Sequence, residues 1–356
     1  MNAEAKRVSH LPATVEEIKA LGWTQPDVIV VTGDAHADHP AFAAAIIGRV
    51  LEAEGFKVAV IARPDVRDPA SISIFGPPRL FWAVTAGALD SLVANYTALK
   101  KPRSDDSYAP QGKAAAPVRR SPERSRRGEG GCRLALKDGD AASARPTRGD
   151  NPRPDRAVTV YCNLIRKAYA KQAFIVAGGL EASLRRFAHY DYWTDAVRRP
   201  LIMDCGANIL VHGMGEGPVA EVARRLGDVV GQKNRNLIPL PLGEWLGEGS
   251  VPPAGQSPLP GKQSPSPWPS PSEGRGNREV EDVVAILADI PGVVYRVPKS
   301  RPTPAAGVGL PSAEEVAADP VAHAKAYRSQ ELNRDKLQWQ DSGGMRVIAN
   351  PPWIPT

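Results

Sequence analysis

Cysteine is scarce in this chain, with three residues in 356. Cys132, Cys162 and Cys205 are too far apart for a compact zinc or iron–sulfur ligand set, and they make no disulfide framework. A reducing cytoplasm is therefore the expected compartment. Long apolar runs are missing as well. None approaches the ~20 residues needed to span a bilayer, and Met1 to Trp23 lacks the apolar centre of a secretory signal. Most of the chain also has little excess charge. The net charge is +6, but Arg119 to Arg156 holds eleven Lys/Arg against six Asp/Glu, and no aromatic residue is interleaved there. That pattern argues against a specific nucleic-acid surface and leaves only non-specific attraction at low salt. No Walker loop, Gly-x-Gly-x-x-Gly fingerprint or Ser-His-Asp set stands out.

What is present is a 42% hydrophobic share, with plentiful proline (35) and glycine (32). The apolar run Asp27 to Asp34 reads as a buried parallel strand. Pro40 then opens a helix over Ala41 to Glu54, with Gly55 as its C-cap. Lys57 to Ala62 and Leu80 to Val84 are further strands, and Ala86 to Leu99 a further helix. Val158 to Ala170 reads as a helix, Ala173 to Ala177 and Asn208 to His212 as strands, and Pro218 to Leu226 as a helix. This alternation predicts an α/β fold, a doubly wound and mostly parallel sheet. Beyond it, Arg278 to Asp289 reads as a helix and Gly292 to Val297 as a strand. Ser312 caps a helix that reaches Ala318, Ala322 to Lys336 is a second helix, and Met345 to Pro352 is a strand closed by prolines.

Two stretches interrupt the pattern. Residues 116–149 are rich in Arg, Gly, Ser and Pro, and residues 246–278 in Pro, Ser and Gly. Both are expected to be low-complexity insertions, cut readily by protease. The resulting division is 1–115 and 150–245 as two parts of one α/β domain, with 279–356 as a lead-in segment.

Three constellations carry chemistry. Asp34, His36, Asp38 and His39 follow the first strand, where open α/β sheets bind ligands. Two carboxylates and two imidazoles there suit a metal-dependent hydrolase or acid–base work. The bland alternative is a polar turn in which Asp38 caps the next helix. Gly178 and Gly179, with Glu181, follow another strand, and Gly213, Gly215 and Glu216 a third. Paired glycines let backbone amides approach a ligand, and all three turns should open on one sheet edge. The aromatic run His189-Tyr-Asp-Tyr-Trp193 fits either a pocket lining or a packed loop whose polar tips find partners.

These runs together resemble the YgiQ family of radical SAM proteins. The resemblance is carried by Val31-Thr-Gly-Asp-Ala35 with Asp38-His-Pro40, Ile46 to Ala53, and Val84-Thr-Ala-Gly87 with Asp90-Ser91. Arg153-Pro-Asp-Arg156, Gly178-Gly179 with Glu181 to Arg186, His189 to Trp193, Gly213 to Glu216 and Asn350-Pro-Pro352 continue it in order. It implies an N-terminal domain similar to cobalamin-binding and flavodoxin-like domains, followed by a radical SAM barrel. In that barrel a Cys-x-x-x-Cys-x-x-Cys motif holds a [4Fe–4S] cluster, which cleaves S-adenosylmethionine to a 5′-deoxyadenosyl radical. Asp34-x-His36 is similar to the Asp-x-His-x-x-Gly turn of cobalamin domains, although His39 stands at the glycine position. No cysteine of this chain matches the barrel motif. The chain is thus expected to be the N-terminal part of such a protein, partnered by its radical SAM domain and without catalysis of its own. The cluster and S-adenosylmethionine belong to the full-length family only. A stand-alone cobalamin- or nucleotide-binding module is the alternative.

Overall fold

The computed structural model describes residues 10–109, 152–236 and 282–355. The expected insertions at 116–149 and 246–278, with Cys132, lie outside the described residues.

In chain order the first elements are α1 (Val15–Ala20), β1 (Val28–Thr32), α2 (Ala43–Ala53), β2 (Val58–Ala62), β3 (Phe81–Thr85) and α3 (Ser91–Asn95). Then come α4 (Ala157–Tyr169), β4 (Ile175–Gly178), α5 (Gly179–Leu184), β5 (His189–Asp191), β6 (Ala196–Arg198), α6 (Leu201–Asp204), β7 (Ile209–Val211) and α7 (Glu216–Asn236). A helical stretch over 282–287, α8, leads to β8 (Val293–Pro298), β9 (Val308–Gly309), α9 (Ala313–Ala318), α10 (Pro320–Leu332), β10 (Gln338–Ser342) and β11 (Met345–Ala349).

Nine strands form one sheet in the order β2-β1-β3-β4-β7-β8-β11-β10-β9. The first five are mutually parallel, and their 2-1-3-4-5 arrangement is the flavodoxin-like doubly wound order, with its switch point between β1 and β3. The expected α/β fold is therefore present. The sheet then continues through β8, which joins β7 antiparallel, and the antiparallel pair β11–β10.

Strand residues alternate between two cores, as a two-sided buried sheet requires. Val28, Val30, Phe81, Ala83, Val176 and Val211 face α2, α7 and α8. Ile29, Val31, Trp82, Val84, Ile175 and Leu210 face α4, with α1, α5 and α6 on the same side. Helix α4 suits that place because Ala157, Val158, Tyr161, Cys162, Leu164 and Ile165 recur at helical spacing, and all are buried.

Several elements differ from the sequence expectation. The helix expected over Ala86–Leu99 shrinks to Ser91–Asn95. Gly87 takes φ +115° to wrap the Asp34 side chain, and Asp90 caps the helix only afterwards, accepting from the Leu92 amide at 2.9 Å. Helix α2 starts at Ala43 rather than near Pro40. Asp38 does not cap it, because its carboxylate binds Arg49 and the Leu11 amide. Strand β10 was not anticipated, since Gln-Trp-Gln-Asp-Ser is polar. Its inward Gln338 and Gln340 are buried but satisfied: Gln340 donates to the Pro311 carbonyl at 2.8 Å and accepts from the Ala188 amide at 2.7 Å. Ser312 and Glu315 form the anticipated cap of α9 as a full capping box.

Candidate functional site

The three turns singled out from sequence do share one end of the sheet, since β1, β4 and β7 run parallel. Their contents diverge. At the β1 turn, Asp34 is 1% exposed and ion-paired with Arg153 at 2.7 Å, and its other oxygen accepts from the Ala88 amide at 2.7 Å. Arg153 also donates to the Gly33 carbonyl at 3.1 Å and approaches Asp106 at 3.0 Å, with Arg63 alongside at 3.7 Å. Burial, the largest influence, pushes the Asp34 carboxyl up, and Arg153 opposes that shift. The packing around this knot is close. A Cβ on Gly87 would sit 2.0 Å from Asp34 Oδ1, and one on Gly33 would sit 2.2 Å from the Ala86 carbonyl oxygen.

Asp34, His36, Asp38 and His39 therefore do not converge as a metal site would require. Asp34 is committed to Arg153 and Asp38 to Arg49; His39 Nδ1 accepts from the Ala41 amide at 3.1 Å, and His36, with an exposed edge, bonds the Leu11 backbone while partial burial lowers its pKa. Among the described residues, no three His, Cys, Asp or Glu side chains come together as a metal centre. Glu181 is likewise a framework residue. Fully buried, it accepts from Ser91 at both the amide (3.0 Å) and the hydroxyl (2.5 Å), and from the Val158 amide (3.1 Å), tying α3 and α4 together. Burial pushes its carboxyl up, and the nearby Arg185 opposes the shift.

The glycine turns are different. Between α2, α7 and the sheet lies a cavity of about 300 Å³, lined by Val30, Ala83, Val84, Thr85, Val176 and Val211 from the strands. Helix α2 contributes Ala43, Ala44, Ile46 and Ile47, and the rim contains Gly178, Gly179, Gly213, Met214, Gly215 and Glu216, with Val219 from α7. The space exists because short side chains meet there: Ala83 in the middle of an apolar strand faces Ala43 and Ala44 of the helix. Gly179 adopts φ +84°, and a Cβ there would stand 2.5 Å from Thr85 Oγ1. At this size the cavity falls at the lower end of small-molecule sites, about 300–1,000 Å³. An intact corrinoid exceeds it, and His36 is not among its lining residues.

The Asn350-Pro-Pro352 run packs against the Gly213 turn. Asn350 donates to the Ala288 and Ile290 carbonyls at 2.8 and 2.7 Å, and its own carbonyl accepts from His212 Nε2 at 2.8 Å. Burial of His212 lowers its pKa to about 4. Pro352 lies against Gly213, where an added Cβ would meet it at 3.1 Å, and Trp353 bridges Gly213. The aromatic run follows the packed-loop alternative. Trp193 packs against Tyr96 with centroids 4.9 Å apart and planes tilted by 44°, the Tyr192 hydroxyl donates to the Ala98 carbonyl at 2.9 Å, and Asp191 binds Arg156.

Sequence reasoning missed Ala43, Ala44, Ala83 and Thr85 as cavity walls, and Asp106 as a partner of Arg153. Alanines interrupting otherwise bulky apolar runs were the available signal. A [4Fe–4S] cluster does not fit the described residues. Cys162 and Cys205 are buried together in the core under α4, and neither lines the cavity.

Comparison with known proteins places the chain. The family model "Radical SAM N-terminal" matches residues 10–126 and 136–239. A UPF0313 protein of Methanocella arvoryzae is 48% identical over 215 residues, covering 60% of this chain and 29% of the relative. A UPF0313 protein of Thermotoga neapolitana is 36% identical over 352 residues, 97% of this chain and 45% of the relative. The UPF0313 protein YgiQ of Escherichia coli is 36% identical over 356 residues, 97% of this chain and 42% of the relative. The chain thus spans less than half the length of these relatives. No solved structure matches.

Proposed function

The chain belongs to the radical SAM N-terminal family, and on that premise we propose that it is a non-catalytic, ligand-binding domain that serves a radical SAM catalytic domain. The observation that carries this reading is the cavity beside the switch point of the sheet, where doubly wound folds bind ligands. No cluster ligands or metal-binding group accompany it among the described residues. In the full-length family the cluster and S-adenosylmethionine supply the radical chemistry, and residues outside this cavity hold them. The partner surface lies at the same end of the sheet. Exposed Val93, Leu180, Leu184 and Met214 follow the carboxyl ends of β3, β4 and β7, and apolar side chains left in water at one edge suit a docked domain. The free thiols Cys162 and Cys205 suit a reducing compartment such as the cytoplasm.

Binding and catalysis are tested on the chain itself. Saturation-transfer NMR with indole, a small planar probe, is expected to show binding that Ala83→Leu or Ile47→Trp abolishes. Equal signals in the filled variants would remove the cavity from the reading. Incubation with S-adenosylmethionine and dithionite under anaerobic conditions is expected to yield no 5′-deoxyadenosine; its formation would overturn the non-catalytic assignment. A hydroxocobalamin arm, read by visible absorbance after dialysis, tests the corrinoid alternative.

A further inference from the structure

The chemical character of the cavity is uneven. Its walls are aliphatic, and none of the residues lining it is Lys, Arg or His. The one charged residue is Glu216, at the first position of α7. Glu216 Oε2 is shielded from solvent and has no hydrogen-bond partner. An acid in the first turn of a helix is favourable through the helix dipole alone. That effect does not require a carboxylate oxygen to be buried without a donor, and a buried unpaired acceptor costs free energy.

Electrostatics narrows the ligand further. The N-terminus of a long helix next to glycine turns is ordinarily an anion site. Here Glu216 itself carries the negative charge that the terminus favours, and no cationic side chain lines the cavity to offset a second one. A phosphate or carboxylate placed inside would meet the part-buried Glu216 carboxylate, whose Oε2 is shielded from solvent, beside apolar walls that weaken screening. A nitrogen that donates a hydrogen bond meets the opposite situation, since a charge-assisted bond to a carboxylate is among the stronger ones available.

We propose that the cavity takes a compact apolar ligand bearing an N–H donor, neutral or cationic, which Glu216 receives, and that it rejects anionic groups. This rests on the reading of the cavity as a ligand seat and names the class of ligand for it. A phosphorylated molecule would enter only by its base-like or amine end, leaving its phosphate outside.

Benzamidine and benzoate are matched in size and opposite in charge, and indole is a neutral donor. Dissociation constants for the three are measured by ligand-observed NMR titration on the chain, on Glu216→Gln and Glu216→Asp, and on Ala83→Leu. The expected result is benzamidine at least about tenfold tighter than benzoate, the size of one charge-assisted hydrogen bond. Glu216→Gln is expected to erase that preference and to weaken indole less than benzamidine, since the amide oxygen still accepts an N–H but no longer carries charge, and Glu216→Asp to keep the preference in part. Should Glu216→Gln fail to fold, the native benzamidine-to-benzoate ratio and the Glu216→Asp variant carry the test. If benzoate matches benzamidine, or Glu216→Gln leaves benzamidine unchanged, while Ala83→Leu still abolishes indole binding, the donor specificity is wrong and the cavity reading stands. If none of the probes binds at millimolar concentration, both fall together.

Discussion

The Asp34 turn and the Gly178 and Gly213 turns occupy the same end of one parallel sheet, a few strands apart, and they do opposite things. At Asp34 the charged groups answer one another: Arg153 and the Ala88 amide take the carboxylate, Asp106 pairs with Arg153, and Gly87 bends around the Asp34 side chain. At the glycine turns the chain leaves about 300 Å³ unfilled and one carboxylate oxygen without a donor. The residue types richest in chemistry therefore form framework, and the plainest residues line the cavity. Place in the fold marks where a ligand can sit, but only unsatisfied groups and unfilled volume mark where one does.

Four perturbations break or sharpen that contrast. The largest effect is expected from Asp34→Ala. It leaves buried Arg153 with Asp106 as its remaining counter-charge, and loss of one partner of a buried pair costs up to about 3–5 kcal/mol. Urea unfolding should show this, and loss of less than about 1 kcal/mol would mean that the knot is not framework. Next is acid sensitivity at His212, which precedes the Gly213 turn and bonds the Asn350 carbonyl. His212 has a folded-state value of about 4, below the ~6.5 of an unfolded histidine, so it is neutral in the fold. Its contribution is complete above pH ~6.5 and is lost as pH falls through 4, a change of about 3 kcal/mol. Unfolding curves at pH 7, 5.5 and 4 should follow that slope, and His212→Gln should flatten it.

A smaller stability effect is expected from Ala83→Leu. Where space is already empty, added methylenes meet little resistance, so stability should stay within about 1 kcal/mol while probe binding disappears. Destabilisation of about 3 kcal/mol in thermal melts would show the space to be filled already. The smallest effect belongs to the double variant His36→Ala, His39→Ala. Both side chains are exposed, so stability should move by less than about 0.5 kcal/mol, and indole affinity should not change. A clear loss of binding would return these histidines to the site.

Legibility from sequence followed physical scale. Strands β1 to β4 and β7 were readable because buried parallel strands need continuous apolar runs, and Val28–Thr32 or Phe81–Thr85 satisfies nothing else so well. Helix α4 was readable from its period. The Ala86–Leu99 stretch misled because its composition is helical, whereas the demand on Gly87 comes from Asp34, which is distant in sequence. Strand β10 was hidden because its inward glutamines are satisfied by the Pro311 and Ala188 backbone, contacts that local pattern does not express.

By itself, then, the sequence determined the α/β alternation, the family, and the shared end of the sheet at which the three turns would stand. Those features depend on local periodicity and on strand direction, which neighbouring residues encode. Only the tertiary structure decided which turn is closed and which is open. Arg153 reaches Asp34 across more than a hundred residues, and Ala83 faces Ala43 and Ala44 from a different element. Charge neutralisation and missing volume are properties of groups brought together in space, and no local pattern carries them.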